Sequence, residues 1–213
     1  MAKVSSITNR AGKILKDANH VRWTAAELLL WYNDAVRDTV QFDTAANAKH
    51  ATPILIAGAR QSLPPDAVAL IDVIGNINTD GSQGAQIFMC ERKALDAFMP
   101  KWQSTSQKTV IQNAMYDPKD RKTFYVYPPV AAGTKIELVH SYLPNEATDA
   151  NSDDIALDPQ YFTPLLDYVL WRAFSKDSEN PASKARAESH SSAYQSAISA
   201  IINIRNGISP TQE

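Results

Sequence analysis

The sequence predicts an α+β fold in which a helical bundle, built from both ends of the chain, holds an inserted β-rich lobe. Apolar residues recur at helical spacing near both termini, whereas the middle of the chain has short alternating runs divided by Gly, Pro and Asp. Helices and strands that are segregated along a chain are typical of α+β proteins rather than of alternating α/β proteins.

We expect residues 1–50 and 155–205 to form the helical bundle, residues 51–154 the β-rich lobe, and residues 206–213 a C-terminal tail. A chain of 213 residues can bury a sizeable core without a covalent staple. Its hydrophobic fraction of 44% and charged fraction of 21% are ordinary for a globular protein and exclude wholesale disorder.

Two helices are predicted near the N-terminus. The first covers residues 3–15, with an apolar stripe that includes Ile14 and a basic outer face that is either solvated or a docking face. The second begins at the capping box Thr24-Ala-Ala-Glu27, in which a hydroxyl and a carboxylate satisfy free amides of the first turn. We expect it to end near Gln41 or Thr44.

The β-rich lobe is predicted from short apolar or alternating runs and turn signals. A hairpin is expected late in the lobe, where Pro128-Pro129 ends one strand and Gly133 turns the chain. The predicted strands are residues 54–56, 60–63, 68–76 and 85–91, followed by a short helix at 92–98 and the hairpin at 113–142.

The last third of the sequence is predicted to be helical again. Residues 161–174 are apolar on most sides, so several neighbours must cover this helix. Asp158 can cap this helix with Pro159 at its first position. Pro164 would then lie in the second turn, so the helix either bends there or begins with Thr163 as its cap. Asn180-Pro181 opens a long final helix, whose buried stripe is expected to consist of small residues. These are Ala182, Ala185, Ser189, Ala193 and Ala197, and the stripe is expected to grow to Ile198, Ile201 and Ile202 near the end of the helix.

Composition and motifs argue against several functional classes. A net charge of −2 lacks the basic excess of a general nucleic-acid binder. The single cysteine, Cys90, excludes an internal disulfide and a multi-cysteine zinc site, and we expect a buried, inert thiol there. The seven glycines form no phosphate-binding motif. We also expect no cleaved signal peptide and no membrane span.

Candidate reactive groups each have a structural alternative. The histidines form no metal-binding pair, and we expect His140 to be a hydrogen-bonded strand residue. Paired carboxylates could serve glycoside hydrolysis or Ca²⁺ binding, although turn and cap roles are commoner. The histidines are His20, His50, His140 and His190, and the carboxylate groups are Asp153-Asp154 with Asp158, and Asp117 with Asp120.

A basic pair, Arg121-Lys122, lies beside three aromatic residues, Phe124, Tyr125 and Tyr127. Such a pattern resembles a surface for single-stranded nucleic acid. Alternating aromatic residues in a hairpin nevertheless mostly fill a β core.

Several stretches resemble, in their order and spacing, the head-to-tail adaptor (connector) proteins of tailed phages. The resemblance covers about residues 20–200, and the third stretch is the most specific. The stretches are Arg22–Arg37, Gly58–Pro64 with Leu70–Val73, Tyr116–Pro129, and Ile155–Asp158 with Leu166–Asp177.

The resemblance implies a non-enzymatic virion protein, similar in role to tail tubular protein A of T7-like podoviruses. Such adaptors form a ring, usually of twelve copies, between the portal protein and the tail nozzle or tail tube, and line the DNA channel. The protein would assemble in the host cytoplasm and reside at the head–tail interface. It would use no cofactor, metal or membrane, and genomic DNA would pass without specific binding.

Partner contacts are expected at five residues, which are Ile204, Arg205, Ile208, Arg121 and Lys122. Two other functions stay open on the sequence alone. One is a virion-associated cell-wall hydrolase that uses an acidic pair, and the other is a nucleic-acid-binding module that uses Arg121, Lys122 and the neighbouring aromatic residues.

Overall fold

The computed structural model of the chain describes residues 2–207 and contains two compact units, residues 1–46 with 144–213 and residues 47–143. The first, the helical unit, contains helices joined by turns, and the second, the β unit, contains all named strands among the described residues. The α+β prediction is therefore confirmed.

The helices are α1 (Ser5–Ile14), α2 (Ala25–Phe42), α3 (Arg92–Phe98), α4 (Phe162–Ser175) and α5 (Pro181–Arg205). The strands are β1 (Ala48–Ala51), β2 (Gly58–Ser62), β3 (Ala67–Ile77), β4 (Gln83–Gln86), β5 (Phe88–Met89), β6 (Asn113–Tyr116), β7 (Thr123–Val130) and β8 (Lys135–Tyr142). Only α3 among the helices lies in the β unit.

In the N-terminal part of the helical unit, the predicted capping box of α2 is present, but Ile14 does not lie on the buried face predicted for it. The Glu27 amide donates to Thr24 Oγ1 at 3.2 Å, and the Thr24 amide donates to Glu27 Oε2 at 3.1 Å, so the capping box is confirmed. In α1, Ile14 is largely exposed, whereas Leu15 is buried. Consecutive residues point about 100° apart around a helix, and here Leu15 takes the inward direction while Ile14 faces outward.

Helix α4 is the centre of the helical unit, as its sequence predicts, and packs against α1, α2 and α5. Leu165 is fully buried, while Leu166 is only half-buried. A 3₁₀ turn at Pro159–Tyr161 leads into the helix, which places Pro164 in the first turn. Proline is tolerated there because its missing N–H would have no intrahelical acceptor.

Helix α5 begins as predicted, because the Asn180 side chain accepts a hydrogen bond from the Ala182 amide at 2.9 Å. The predicted small-residue stripe is wrong, because only Ala197 of its five members is even partly buried. The helix instead buries Ala187 and Tyr194, while Ile198, predicted at the larger end of the stripe, is buried and Ile201 and Ile202 are half-buried. Larger side chains remove more apolar area from water, so they take the inward face.

The β unit consists of two four-stranded sheets with strand orders β1-β8-β3-β4 and β2-β7-β6-β5. All neighbouring strands are antiparallel except β5 and β6. Inward-facing residues from both sheets form one apolar core, to which β3, β6, β7 and β8 contribute Leu70, Val73, Ala114, Phe124, Val126, Ile136 and Leu138.

Three strand predictions in the β unit are corrected. Residues 54–56 form no strand, because the Gln61 side chain bonds both the amide and the carbonyl of Ile56. The predicted strand 85–91 is divided between two sheets, since the Ile87 amide donates to Ile74 of β3 and the Phe88 amide donates to Gln112. The predicted hairpin of residues 123–127 and 135–142 is also wrong, because β7 pairs with β6 and β2, whereas β8 pairs with β1 and β3 in the other sheet. Strand β1 was not predicted from the sequence.

Pro128 and Pro129 do not end β7, which continues to Val130. Pairing with β6 stops at Tyr127, and pairing with β2 is interrupted between Tyr125 and Val130. Neither proline therefore lies where its backbone would have to donate a hydrogen bond to a neighbouring strand. Proline has no N–H, so a strand tolerates it only at such positions.

The division between the two units falls earlier than the sequence places it. Residues 144–154, assigned from the sequence to the β-rich lobe, belong to the helical unit. Asn33 of α2 exchanges two hydrogen bonds with the Ala147 backbone, and the Val4 amide donates to the Asp153 carbonyl at 3.0 Å. These backbone contacts hold the acidic loop against the helices.

Candidate functional site

The carboxyl end of α5 is fastened by a cluster of three polar side chains, Asp43, Tyr161 and Arg205. Asp43 is the residue that ends α2, and it is almost fully buried. The Tyr161 hydroxyl donates to Asp43 Oδ2 at 2.7 Å, and Arg205 Nη2 donates to the same oxygen at 2.8 Å. Arg205 Nη1 also donates to Asp43 Oδ1, so the guanidinium grips the carboxylate with two nitrogens.

The charges in this cluster stabilise one another. Burial acts to raise the pKa of Asp43, but hydrogen bonds from Arg205 and Tyr161 outweigh it, so the pKa lies below its usual value. Burial and the hydrogen bond to Asp43 raise the pKa of Tyr161, which keeps its hydroxyl protonated as a donor. The cluster is therefore an ion pair with a neutral phenol, and its geometry fixes where α5 ends.

Sequence reasoning identified Arg205 but missed Asp43 and Tyr161. Asp43 lies 162 residues away from Arg205 along the chain, and no local pattern connects the two. One feature of the sequence could have indicated the ion pair. Asp43 follows the last turn of α2, and a carboxylate at the C-terminal end of a helix is unfavourable unless a cation lies nearby.

Next to this cluster, α5 presents apolar side chains. Ile204 is 67% exposed. A surface cavity of about 380 Å³ lies between α5 and the end of α2. It is lined by Phe42, Tyr194, Gln195, Ile198, Ser199 and Ile202. Ile208 and the rest of the predicted tail from residue 208 onward lie outside the described residues.

The other predicted contact residues, Arg121 and Lys122, lie in the turn before β7 of the β unit. Lys122 Nζ donates to the Ala67 carbonyl, so this ammonium is partly engaged within the unit. The Arg121 side chain is exposed, and its carbonyl accepts from the Tyr116 hydroxyl at 3.3 Å. The structure thus places the four described contact residues in two groups, Ile204 and Arg205 in the helical unit and Arg121 and Lys122 in the β unit.

The aromatic residues beside Arg121 and Lys122 do not form an open stacking surface. Phe124 is fully buried in the core between the sheets. Tyr125 and Tyr127 pack edge-on against buried Trp102, with ring centroids 6.2 and 6.3 Å away. Bases stack on exposed ring faces, so this arrangement favours the packing interpretation over nucleic-acid binding.

The acidic residues considered as catalytic pairs have structural partners. Asp153 Oδ2 accepts hydrogen bonds from the Thr148 and Asp149 amides, and Asp154 pairs with Lys3 at 2.9 Å. The hydrogen bond from the Asp149 amide is the main cause that lowers the pKa of Asp153. The hydrogen bond from the Lys3 ammonium is the main cause that lowers the pKa of Asp154. A general acid in glycoside hydrolysis needs a raised pKa, so the pair lacks that property.

The second acidic pair and the histidines also have local roles. Asp117 accepts from the Lys119 amide at 3.0 Å within a turn, and Asp120 accepts from Thr123. His140 is buried on β8 and its Nδ1 lies 3.1 Å from the Ser141 carbonyl, as the strand interpretation expects. Among residues 2–207, no group of three or more His, Cys, Asp or Glu side chains could hold a metal ion.

Cys90 is half-buried, and burial raises the pKa of its thiol above the usual value. A nucleophilic cysteine needs a lowered pKa, so the inert interpretation is favoured. None of the helices in the described part of the chain is both long and apolar enough to cross a membrane.

A family model described as SU10 adaptor protein matches residues 2–212 of the sequence. No curated protein matches the sequence.

Proposed function

Because the chain belongs to the SU10 adaptor protein family, a family of phage structural proteins, we propose that it is the head-to-tail adaptor of a tailed-phage virion. In this role, copies of the chain close into a ring between the portal protein and the tail nozzle or tail tube. The role is similar to that of tail tubular protein A.

The family match supports this proposal most directly, because it covers nearly the whole chain. A ring of identical subunits needs heterologous contacts, in which each copy uses two different surfaces. The polar partners found for the acidic pairs and the raised pKa of the Cys90 thiol favour a structural role over a hydrolytic one.

We propose that the helical unit flanks the DNA channel. This unit, residues 1–46 and 144–213, has 15 acidic and 11 basic residues, so it carries a net negative charge. A negatively charged wall does not attract the phosphate backbone, which lets genomic DNA pass without specific binding.

We further propose that the carboxyl end of α5 meets the portal or the tail component. Exposed Ile204 and the cavity beside Phe42 offer apolar contact there, and Ile208 follows directly in the sequence. Arg205 holds this end in place through Asp43 instead of reaching out. Arg121 and Lys122 of the β unit form the second proposed contact group.

Electron microscopy of the virion, or of the full-length chain mixed with its purified portal protein, tests the proposal. We expect a closed ring of this chain on one face of the portal. A chain that stays monomeric with the portal present and is missing from virions contradicts the proposal.

A second measurement addresses the contact at the end of α5. Ile204→Asp places a charge on the exposed apolar surface without removing a buried side chain, so the fold should be kept. We expect weaker attachment to the portal or the tail component, with Ser189→Asp, at an exposed α5 position away from this cavity, as the control that keeps full attachment. Attachment equal to that of the unchanged chain contradicts a contact at Ile204.

A further inference from the structure

Six of the exposed large apolar side chains in the β unit lie in two segments of the chain. One is the segment between β1 and β2, where Ile54 is 65% and Ile56 64% exposed, and which we name edge A. The other, edge B, comprises Phe88 and Met89 of β5, with Phe98 and Met99 at the end of α3. Their exposures are 65%, 41%, 86% and 40%.

Edge A is held rigidly despite its exposure. Gln61, which is itself buried, bonds the Ile56 amide at 3.0 Å and the Ile56 carbonyl at 2.9 Å. Between the two isoleucines, the Leu55 amide donates to the Thr134 carbonyl at 2.8 Å. The two exposed side chains therefore project from a backbone that is fixed on both sides, which lowers the entropic cost of a contact.

Edge B is built on elements that bury little of their own surface. Helix α3 has seven residues, none of which is buried, and no side chain caps its first turn. Isolated helices of this length are marginal in water, since most helical stability comes from packing. Strand β5 is a two-residue edge strand, so its outer side has no neighbouring strand in the sheet.

The strand order places edge A and the β5 part of edge B, Phe88 and Met89, at opposite ends of the sheets, while Met99 accepts from the Tyr127 hydroxyl of β7 at 3.5 Å. Edge A joins β1 and β2, which are the first strands of the two sheet orders. Edge B begins at β5, which is the last strand of its sheet, and β4 is the last strand of the other. The core between the sheets is shared, so both ends belong to one compact body.

We propose that edge A of one copy of this chain docks on edge B of the next copy, so that the β units form the side-to-side contact of the ring. The inference rests on the proposed function and names the surface through which the ring assembles. A two-fold dimer through edge B alone would leave edge A exposed, whereas a head-to-tail contact buries both edges on every copy.

The exposed area is enough for such a contact. At about 150–200 Å² for each large apolar side chain, the exposed parts of the six residues amount to roughly 550–700 Å². A standard protein–protein interface buries about 1,600 Å², of which somewhat more than half is apolar. The six side chains therefore supply most of the apolar area of one standard interface.

Two double variants of the full-length chain test the contact, each in the presence of the portal protein. Ile54→Lys with Ile56→Lys blocks edge A, and Phe88→Lys with Phe98→Lys blocks edge B. We expect either variant to lose the closed ring and to need at least a tenfold higher concentration for self-association. Ile71→Lys, on the interior strand β3, is the matched control and should keep the ring.

A mixture of the two variants separates a head-to-tail contact from a symmetric one. Each variant keeps one intact edge, and the two intact edges are complementary. We therefore expect native mass spectrometry of the mixture to show a dimer with one copy of each variant, and no longer assembly. Circular dichroism and thermal unfolding check that both variants fold, and serine replacements at the same positions serve where lysine prevents folding.

The outcomes distinguish the two proposals. If the unchanged chain forms no ring on the portal, the proposed function fails. If the unchanged chain forms a ring and both folded variants do so equally well, the edge contact is wrong while the adaptor role stands. Homodimers of the edge A variant would also overturn the head-to-tail contact.

Discussion

The helical unit and the β unit bury different kinds of polar side chain. The helical unit buries the Asp43 carboxylate against Arg205, whereas the β unit buries the Asn76 amide. Asn76 Nδ2 donates to the Ala85 and Ile111 carbonyls at 2.9 and 2.8 Å, and its Oδ1 accepts from the Ile111 amide at 2.8 Å. An ion pair depends on pH and on a second side chain, while a neutral amide that bonds the backbone depends on neither.

The two units also differ in what they leave exposed. In the β unit, six of the exposed large apolar side chains belong to edges A and B. In the helical unit, exposed Phe42 and Ile204 adjoin the Asp43–Arg205 pair in sequence, whereas Val21 and Leu30 lie apart on the α1–α2 connection and on α2. Single exposed apolar residues are ordinary, but grouped ones indicate an interaction surface. The difference indicates that assembly covers a larger apolar surface on the β unit than at the end of α5.

The largest expected effect concerns the core of the helical unit. Leu165→Ala should lower the free energy of unfolding by about 2–5 kcal/mol, because a fully buried side chain leaves a cavity. Its neighbour Leu166 is half-buried, so Leu166→Ala should cost clearly less. Urea denaturation of both variants checks this order, and equal costs would show that the inward face of α4 is misassigned.

The next effect concerns the ion pair at the end of α5. Asp43→Asn should cost about 2–4 kcal/mol at neutral pH, because it leaves the Arg205 guanidinium without its anion. Arg205→Lys keeps the charge but loses the two-nitrogen grip, so its cost should be intermediate. Chemical denaturation of the three proteins at pH 7 measures both costs.

The same pair predicts a pH dependence with a definite sign. The folded-state pKa of Asp43 is below its ordinary value of about 3.9, so its stabilising contribution is fully present above that value. The contribution is lost as the pH falls through the folded pKa. The stability difference between the unchanged chain and Asp43→Asn should therefore shrink below pH 4, and a constant difference would contradict the ion pair.

A smaller effect is expected for the buried amide of the β unit. Asn76→Ala removes three hydrogen bonds and leaves the buried Ile111 amide without a partner, which should cost about 1–3 kcal/mol. Unlike the Asp43 effect, this cost should not change between pH 7 and pH 3. Asn78→Ala, whose exposed side chain bonds Ser82, is the control and should cost much less.

Features set by short stretches of chain could be predicted from the sequence, and features set by distant contacts could not. The start of α2 was predicted from its capping box, and the bounds of α3 from its short sequence and the proline that follows it. Both are confirmed. The direction of the α5 stripe depends on which side chains α4 can cover, and the loop at Ile56 depends on the Gln61 side chain. Neither contact has a local pattern.

The candidate contact residues illustrate the same limit. A basic residue near the end of a helix looks available for a partner, but Arg205 is occupied by Asp43 from the other end of the chain. Exposed Phe88 and Phe98 lie in segments that the sequence assigns to a strand and a helix. Only the strand order shows that Phe88, on β5, lies at the end of the sheets opposite the segment with Ile54 and Ile56.

The smallest expected effect compares the first turns of two helices. Thr24→Ala removes the hydroxyl that accepts from the Glu27 amide, and the free energy of unfolding should fall by about 1 kcal/mol. Thr24→Ser keeps the hydroxyl and should stay close to the unchanged chain. In the β unit, Glu91 precedes α3 without making a side-chain cap, so Glu91→Ala should change stability by less than about 0.5 kcal/mol. The urea midpoints of all three variants measure these changes, provided that the dependence of the unfolding free energy on urea concentration is unchanged. A larger loss for Glu91→Ala than for Thr24→Ala would contradict the claim that Thr24 caps its helix and Glu91 does not.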